Sequence, residues 1–467
     1  MKVKFCGAAR EVTGSAHLLT LDDGFKILLD CGLYQGSSEK MKNFNEKWLF
    51  DPEEINCVVL SHAHIDHCGR LPKLVKDGFK GSIFCTHATR SLCSIMLLDS
   101  ALIQERDADY FNKKRGREIH EEREALYDKE DVKKTMERFV SYGYGRKFEV
   151  YPGIEVEFRD AGHILGSANV SLTIREKNGN VIRFGFTGDI GRPDRPILRD
   201  PQPMEPMDFL ICESTYGDKD HESPPQETEH LLQIIRHTCL EKKGKLIIPA
   251  FSVGRTQEIV YIMDQLENQG KLPRVPVYVD SPLAVNATVI FGSHPECYDA
   301  ELSSYILKDP NPFGFSHLTY IKEVEHSKRL NNSKEPCIII SASGMANAGR
   351  VKHHIFNNMT DPKNTILIVG YCSPGTPGGA LREGAKTLKL FAEEKPVRCE
   401  VEIMDSFSAH ADRTEISAFV ANQQNSVKKM FLVHGEIERQ ESLKTLLGSQ
   451  GFKKIEIPTL GQEFELF

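Results

Sequence analysis

Short aliphatic runs broken by Gly and Asp dominate the first 60 residues. HLLTL (17–21), FKILLDCG (25–32) and CVVLS (57–61) predict strands there. LPKLVKDG (71–78) predicts a short helix and SIFC (82–85) a further strand. Residues 89–140 change character. Gly and Pro are absent up to Gly116, and EEREALYDKEDVKKTMERFV (121–140) spaces its apolar residues at i, i+3 and i+4, which predicts helix. Strand patterns return over 148–215 in FEVYPGIEVEFRDAG, NVSLTIRE, VIRFGFTGD and DFLICEST. The polar, Pro-containing stretch 216–228 reads as a linker. From there to about 394 the two patterns alternate. ETEHLLQIIRHTCLEKK, RTQEIVYIMDQLENQG and GRVKHHIFNNM read as helices, between KLIIPAF, VPVYVDS, PCIIISASG and TILIVGYC as strands. Such alternation predicts an α/β protein with a parallel sheet and right-handed crossovers. In the tail, CEVEIMDSF, KMFLVHG and KKIEIP predict strands and ERQESLKTLLGSQG a helix.

Composition narrows the picture. A length of 467 residues suggests about three domains. Acidic residues number 66 and basic ones 59, for a net charge of −7. That excludes a broadly cationic nucleic-acid binder, so any such contact must use local positive charge. KKRGR (113–117) is one local cluster; it reads first as a solvated helix face and second as a nucleic-acid contact. No apolar run is long enough to span a bilayer, and the N-terminus lacks the apolar core of a signal peptide. The 12 cysteines are scattered, many in strand-like runs, with no CxxC pair. Reduced, buried thiols in a cytoplasmic protein are expected.

The chemistry concentrates in VVLSHAHIDHCG (58–69), where His62, His64, Asp66 and His67 follow a predicted strand. Spacings of two place alternate side chains on one side of an extended loop. Imidazoles and a carboxylate this close desolvate and repel one another unless a cation sits among them. The donor set suits zinc, then manganese or iron. His163 (DAGHILGS), Asp189 (FTGDIGR), His410 (SFSAHAD) and Asp30 (LLDCG) each lie in the loop leaving a predicted strand. Open α/β sheets place their sites there. His353 and His354 fall on a predicted helix and read as structural.

This order resembles the metallo-β-lactamase superfamily: Asp30, His-x-His-x-Asp-His, His163 and Asp189 match its first four motifs. Glu213 in ICEST and His410 in SFSAHAD resemble motifs A and C of the β-CASP nucleases. AFSVGRTQEI, SASGMANAGR, GYCSPGTPG and LVHGE look like further landmarks of that subgroup. The resemblance implies an α/β fold: an αββα metallo-β-lactamase sandwich (1–215, completed by 395–467) with an inserted parallel α/β β-CASP cap (216–394). It also implies two Zn²⁺, with Mn²⁺ or Fe as alternatives. His62, His64 and His163 would hold one and Asp66, His67 and His410 the other, with Asp189 bridging and Asp30 orienting a ligand histidine by accepting its ring N–H. Two such cations turn a bridging water into hydroxide at neutral pH. Asp66 would orient or deprotonate that nucleophile, and Glu213 would hold a protonated histidine near the leaving oxygen. GTPGGALREG (375–384) lacks the motif B histidine that follows Gly-Thr in the eukaryotic pre-mRNA endonuclease. The leaving-group acid then falls to His434 of VHGE or to water.

A histidine at motif C marks the RNA-processing branch of the subgroup. Ser252 and Arg255 in FSVGR, and Ser343, Gly344 and Arg350 in SASGMANAGR, follow strands at candidate helix N-termini, where N–H groups and a guanidinium suit phosphate. Thr376 lies in PGTPGG, a Gly-rich stretch that suits a phosphate backbone. The expected function is hydrolysis of single-stranded RNA, away from any membrane, in a cleft between sandwich and cap; relatives often form homodimers. Two other readings compete: a small-molecule hydrolase such as a thioesterase or glyoxalase-like enzyme, and a non-catalytic RNA-binding subunit.

Overall fold

The computed structural model describes residues 1–35, 43–114, 122–176, 179–221, 227–370, 372, 375–404 and 408–466. Of the basic cluster KKRGR, residues 115–117 lie outside the described residues, as do 222–226 of the predicted linker and 406–407 of SFSAHAD. The chain forms two compact units, Met1–Asp220 with His410–Phe467, and His221–Ala409.

The first unit opens with β1 (Lys2–Phe5), β2 (His17–Thr20), β3 (Lys26–Leu29), β4 (Cys57–Val59), β5 (Ser82–Thr86) and β6 (Phe139–Tyr142), side by side in chain order. The first three pair antiparallel; β3 to β6 pair in parallel. Between β5 and β6 lie the helices His87–Lys114 and Lys129–Met136. Phe139 and Val140 already belong to β6, and among its described residues the helical region expected over 89–140 holds these two helices. The second starts at a reciprocal cap, in which the Asp128 carboxylate takes the Glu130 and Asp131 N–H groups. A second sheet runs β7 (Phe148–Tyr151), β8 (Ile154–Asp160), β9 (Ala168–Arg175), β10 (Val181–Phe186) and β11 (Phe209–Glu213). IEVEFRD in β8 alternates buried with partly buried residues, the period of a strand with one face on a core.

The second unit is built on a sheet of β12 (Leu246–Pro249), β13 (Val277–Val279), β14 (Leu318–Tyr320), β15 (Ile338–Ser341) and β16 (Thr365–Val369). A hairpin of β17 (Thr387–Leu390) and β18 (Glu393–Pro396) stands apart from it, and β19 (Glu400–Met404) adds to its edge. The order is β14-β13-β15-β12-β16-β19, and all pairs are parallel, as the alternating pattern predicts. From β12 the chain moves to one side of the sheet and from β15 to the other. Open α/β sheets place their binding sites at such a reversal, at the C-terminal strand ends. Because β19 pairs with β16, residues 395–409 belong to this second unit, where the sequence reading gave 395–467 to the first.

The chain then completes the first unit. β20 (Lys429–Val433) and β21 (Ile455–Glu456) extend the second sheet beyond β11, and β22 (Glu463–Glu465) closes the first sheet on β1. Val3, Phe5, Leu29 and Val59 of one sheet meet Phe158, Val170, Phe186, Ile211 and Phe431 of the other in a single core. Helices Arg413–Val420 and Ile437–Ser449 cover the far side of the second sheet through Ile416, Phe419, Leu443 and Leu447. These are the layers of an αββα sandwich. The 12 cysteines are free and buried. Among the described residues no helix is long and apolar enough to cross a membrane.

Candidate metal centre

Beyond β4, His64 (φ −62°, ψ 146°) caps the one-turn helix Ile65–Cys68. The expected extended loop therefore carries His62 and His64, while Asp66 and His67 ride on a helical turn. The turn is clamped from outside: the Ser15 N–H donates to the Asp66 carbonyl and the Cys31 N–H to that of His67, each at 2.8 Å. Gly32 makes this approach feasible, because a Cβ there would lie 1.6 Å from the Asp66 carbonyl oxygen.

Asp30 ends β3 in the left-handed region (φ 60°) and is fully buried. Its Oδ2 accepts from His67 Nδ1 at 2.7 Å, and its two oxygens also accept from the Ser61 N–H and hydroxyl. The proton of His67 is thereby held on Nδ1, so Nε2 presents a lone pair inward. In the loop after β8, the Ser167 hydroxyl oxygen accepts from the His163 and Ile164 N–H groups, at 3.0 and 3.2 Å, and fixes His163.

His64 Nδ1 lies 3.1 Å from His62 Nε2 and 3.1 Å from His163 Nε2. Three ring nitrogens converging on one point cannot all be satisfied by sharing protons, but a cation satisfies them together. Asp189, 2 % exposed after β10, supplies the central carboxylate. Its Oδ2 is 3.4 Å from His62 Nε2, 3.5 Å from His163 Nε2 and 3.3 Å from His67 Nε2. Its Oδ1 is buried with no hydrogen-bond partner among the described residues, and His434 Nδ1 lies 3.6 Å from it. A buried carboxylate oxygen left so is costly unless a cation takes it.

The second cluster corrects the sequence reading. The residue that joins Asp66 and His67 is His434, not His410. His434 Nε2 is 3.1 Å from His67 Nε2 and 3.4 Å from Asp66 Oδ2. The cause is sheet pairing. Parallel β11 and β20 align Glu213 with Val433, which delivers the next residue, His434, to the centre. Thr215, which the sequence reading passed over, sets its tautomer. The Thr215 hydroxyl donates to Glu213 Oε2 (2.6 Å) and accepts from His434 Nδ1 (3.0 Å), leaving Nε2 as the inward acceptor. His410 instead faces Glu213, with Nδ1 3.3 Å from Oε2 and 4.0 Å from Asp189 Oδ2. Glu213, which the sequence reading set beside a protonated histidine, thus has His410 as that neighbour. Among the described residues three metal-capable groups result: His62, His64, His163 and Asp189; Asp66, His67 and His434; and Asp189, Glu213 and His410.

Burial holds His62 well below the usual histidine range and His64 at about 4, so both rings are neutral lone-pair donors. Burial also opposes ionisation of Asp66 and Asp189. The neighbouring imidazoles outweigh it, keeping Asp66 at about 2 and Asp189 well below the usual range. For His410, burial disfavours the charge, but the carboxylates of Glu213, Asp189 and Asp66 prevail and raise it to about 9. His62 and His64 thus offer neutral lone pairs. For His67, burial disfavours the charge, but the Asp189 and Asp66 carboxylates raise it well above the usual histidine range, so a divalent cation would take the place of its Nε2 proton.

Asp160 closes β8 beside this loop and carries a separate consequence. Burial raises its carboxyl to about 7, although the Gly162 N–H bonds it at 2.9 Å. The folded chain then keeps a proton that the unfolded chain loses near pH 4. Stability from this group is full below that pH and falls as pH rises to 7, by about 4 kcal/mol in all. Asp160→Asn should remove this slope. Urea unfolding of both proteins from pH 4 to 8 measures it; parallel stability curves would show that Asp160 ionises normally.

The candidate phosphate contacts lie in the second unit, at the C-terminal ends of neighbouring β12 and β15, whose Pro249 and Ser341 are in register. The Ser252 hydroxyl is 3.3 Å from that of Ser281, and the Ser343 hydroxyl donates to Asn347 Oδ1 at 2.7 Å. Gly344 lets its loop pass the Phe251 ring, which a Cβ would approach to 2.7 Å. Both arginines are engaged: Arg255 pairs with Glu258, and Arg350 donates to Asp280 Oδ1 (2.6 Å) and to the Lys322 carbonyl. Buried Asp280 also takes His354 Nε2 at 2.7 Å, giving His354 a structural place. Thr376 caps the helix Pro377–Arg382 by accepting from the Gly379 N–H.

Comparisons with known proteins agree with this architecture. Family profiles match residues 9–223 (metallo-beta-lactamase superfamily), 256–381 (Beta-Casp domain) and 394–458 (Zn-dependent metallo-hydrolase RNA specificity domain). The chain is 33% identical to ribonuclease TTHA0252 of Thermus thermophilus over 451 residues, covering 97% of each. It is 32% identical to transcription termination factor FttA of Methanosarcina mazei, covering 98% of this chain and 70% of that one. With cleavage and polyadenylation specificity factor 73 of Drosophila melanogaster it shares 31% identity over 96% of this chain and 61% of the relative. A crystal structure of a protein of unknown function from Enterococcus faecalis shares the fold at a TM-score of 0.56 and 12% identity, over 100% of this chain and 99% of that one. Motif order, sandwich topology and full-length similarity together make the chain a member of the β-CASP RNA nuclease group of the metallo-β-lactamase superfamily.

Proposed function

We propose that this chain hydrolyses phosphodiester bonds of single-stranded RNA, using two divalent cations, zinc by preference of the donor set. The observation that carries the reading is the Asp189 carboxylate. One oxygen faces the His62–His163 cluster and His67, and the other is buried and unpartnered on the His434 side. His62, His64, His163 and Asp189 would hold one cation, and Asp66, His67, His434 and Asp189 the other. Bound there, two cations acidify a water and offset charge on the phosphate under attack.

The chain's own residues supply the rest. Asp30 and Thr215 fix the tautomers of His67 and His434. Asp66 is placed to orient the attacking water. Glu213, 1 % exposed, accepts from the Ile190 N–H and the Thr215 hydroxyl and balances a protonated His410. His410 is more open than the ligand cluster, with 21% of its side chain exposed, so its proton can reach a leaving oxygen. Ser252, Ser343, Gly344 and Thr376 are proposed phosphate contacts, with Arg255 and Arg350 rearranging their carboxylate partners to join them.

Digestion of one RNA sequence labelled at either the 5′ or the 3′ end tests the reading. Products are expected with Zn²⁺ or Mn²⁺, none with EDTA, and recovery on adding the metal back. RNA left intact at high enzyme concentration while a thioester is cleaved would end it.

A further inference from the structure

The hairpin of the second unit has an unusual tip. Leu390 pairs with Glu393, so Phe391 and Ala392 alone make the turn, both in the left-handed region (φ 53° and 67°). Two-residue turns of this kind favour Asn-Gly, because each L-residue with a Cβ costs about 1–2 kcal/mol in that region. The hairpin itself is anchored by Leu388 and Leu390, which are buried in the unit's core; Phe391 is not part of that core. A bulky ring therefore occupies a strained position that the hairpin does not need filled by an aromatic residue. Strain of this sort collects at functional surfaces.

The ring is 47% exposed and belongs to an aromatic and basic patch. His353 stacks on it with centroids 4.5 Å apart and planes 29° apart, and Phe356 meets it edge-on at 5.5 Å. Lys352 Nζ lies 5.0 Å from the Phe391 centroid and Lys395 Nζ 3.5 Å from that of Phe356. Lys395 is also 3.7 Å from Glu393, and Glu394 takes the Thr387 hydroxyl, so the two nearby acids are engaged. Lys352 and Lys389 make no ion pair among the described residues. Lys352 and His353 sit in the first turn of helix Val351–Asn358, which starts where the Ser343–Arg350 loop ends. Lys352 and His353 thus follow directly on the Ser343–Arg350 loop that carries proposed phosphate contacts at the C-terminal end of β15.

We propose that Phe391, backed by His353, is a stacking platform for an unpaired base of the RNA substrate, with Lys352 beside it for the flanking phosphate. The inference rests on the RNA-hydrolysing function proposed above. An exposed ring with adjoining cations is the chemistry that holds single strands without reading sequence. In a chain of net charge −7 such contacts must be local.

Phe391→Asn separates this role from folding, because Asn suits the left-handed turn. Its melting temperature should equal or exceed that of the wild type. Its KM for a 20-nucleotide RNA should rise about tenfold with kcat unchanged, and its hydrolysis of bis(p-nitrophenyl) phosphate should not change. Phe391→Tyr should restore the KM. Scanning an abasic nucleotide along the RNA should show one position where the wild type loses the same tenfold and the Asn variant loses nothing further. An unchanged KM for the Asn variant, or a penalty independent of the abasic position, overturns the platform while leaving the hydrolase reading intact. A variant that loses a wild-type dimer by light scattering with no change in KM assigns the patch to a second copy and also overturns it. A wild-type chain that neither binds nor cleaves RNA overturns both.

Discussion

His434→Ala and His410→Ala are expected to inactivate the enzyme in two different ways. The first should lower bound metal from two ions to about one per chain and cut kcat on RNA by at least about 10²-fold, the order of effect of losing one preorganised electrostatic partner. The second should leave both ions in place and lower kcat by about 10²–10⁴, the usual contribution of a positioned proton donor. The contrast follows from geometry. His434 Nε2 lies within 3.4 Å of both Asp66 and His67, whereas His410 Nδ1 faces Glu213 at 3.3 Å. Elemental analysis of the two purified variants, beside single-turnover RNA cleavage, reads the difference. Added imidazole should restore part of the His410→Ala rate, because free imidazolium can give the leaving oxygen the proton that the missing side chain supplied. Loss of a metal ion from His410→Ala, with full occupancy in His434→Ala, would restore the assignment made from sequence.

That exchange of roles marks what a sequence reading reaches. His62, His64, Asp66 and His67 were legible because four ligand residues fall within six positions, a density that only a cation explains. Asp30, His163 and Asp189 were legible from their position in loops leaving recognisable strands. His434 and His410 were confused because both follow strand-like runs in the tail, CEVEIMD and KMFLV, and spacing cannot say which run joins the hydrolase sheet. The pairings decide: β20 lies beside β11 and brings His434 inward, while β19 lies beside β16 in the other unit. The β11–β20 pairing joins residues far apart in the chain, such as Glu213 and Val433, 220 positions from each other. The pairing of β19 with β16, between residues 35 positions apart, puts the end of the second unit at Ala409 where the sequence reading put it at 394. Thr215 was missed for a different reason. A threonine after a strand is common, and its value appears only once Glu213 and His434 flank it at 2.6 and 3.0 Å. The hairpin at 387–396 was also missed, since Phe-Ala is not a turn signal and its left-handed residues are exceptions to the rule used to find turns.

The largest single effect is expected for Asp189→Asn. The amide keeps the size of the carboxylate, so packing around this buried position is preserved. What changes is charge and donor capacity. One oxygen, neutral and shared with an NH₂ group, replaces the carboxylate whose oxygens face His62, His67 and His163 on one side and His434 on the other. Losing it removes a ligand from both cations at once, so bound metal should fall to a small fraction of one ion per chain. RNA hydrolysis should fall by more than either histidine substitution causes, beyond about 10⁴-fold, because the activated water and the charge offset are lost together. A stability measurement separates this from misfolding. Bound metal stabilises the folded wild type in proportion to the logarithm of its concentration over its Kd. EDTA should therefore lower the wild-type melting temperature by several degrees and leave that of Asp189→Asn unchanged. If the variant still binds two ions, or if EDTA shifts both proteins equally, Asp189 does not bridge, and the two clusters hold their cations independently.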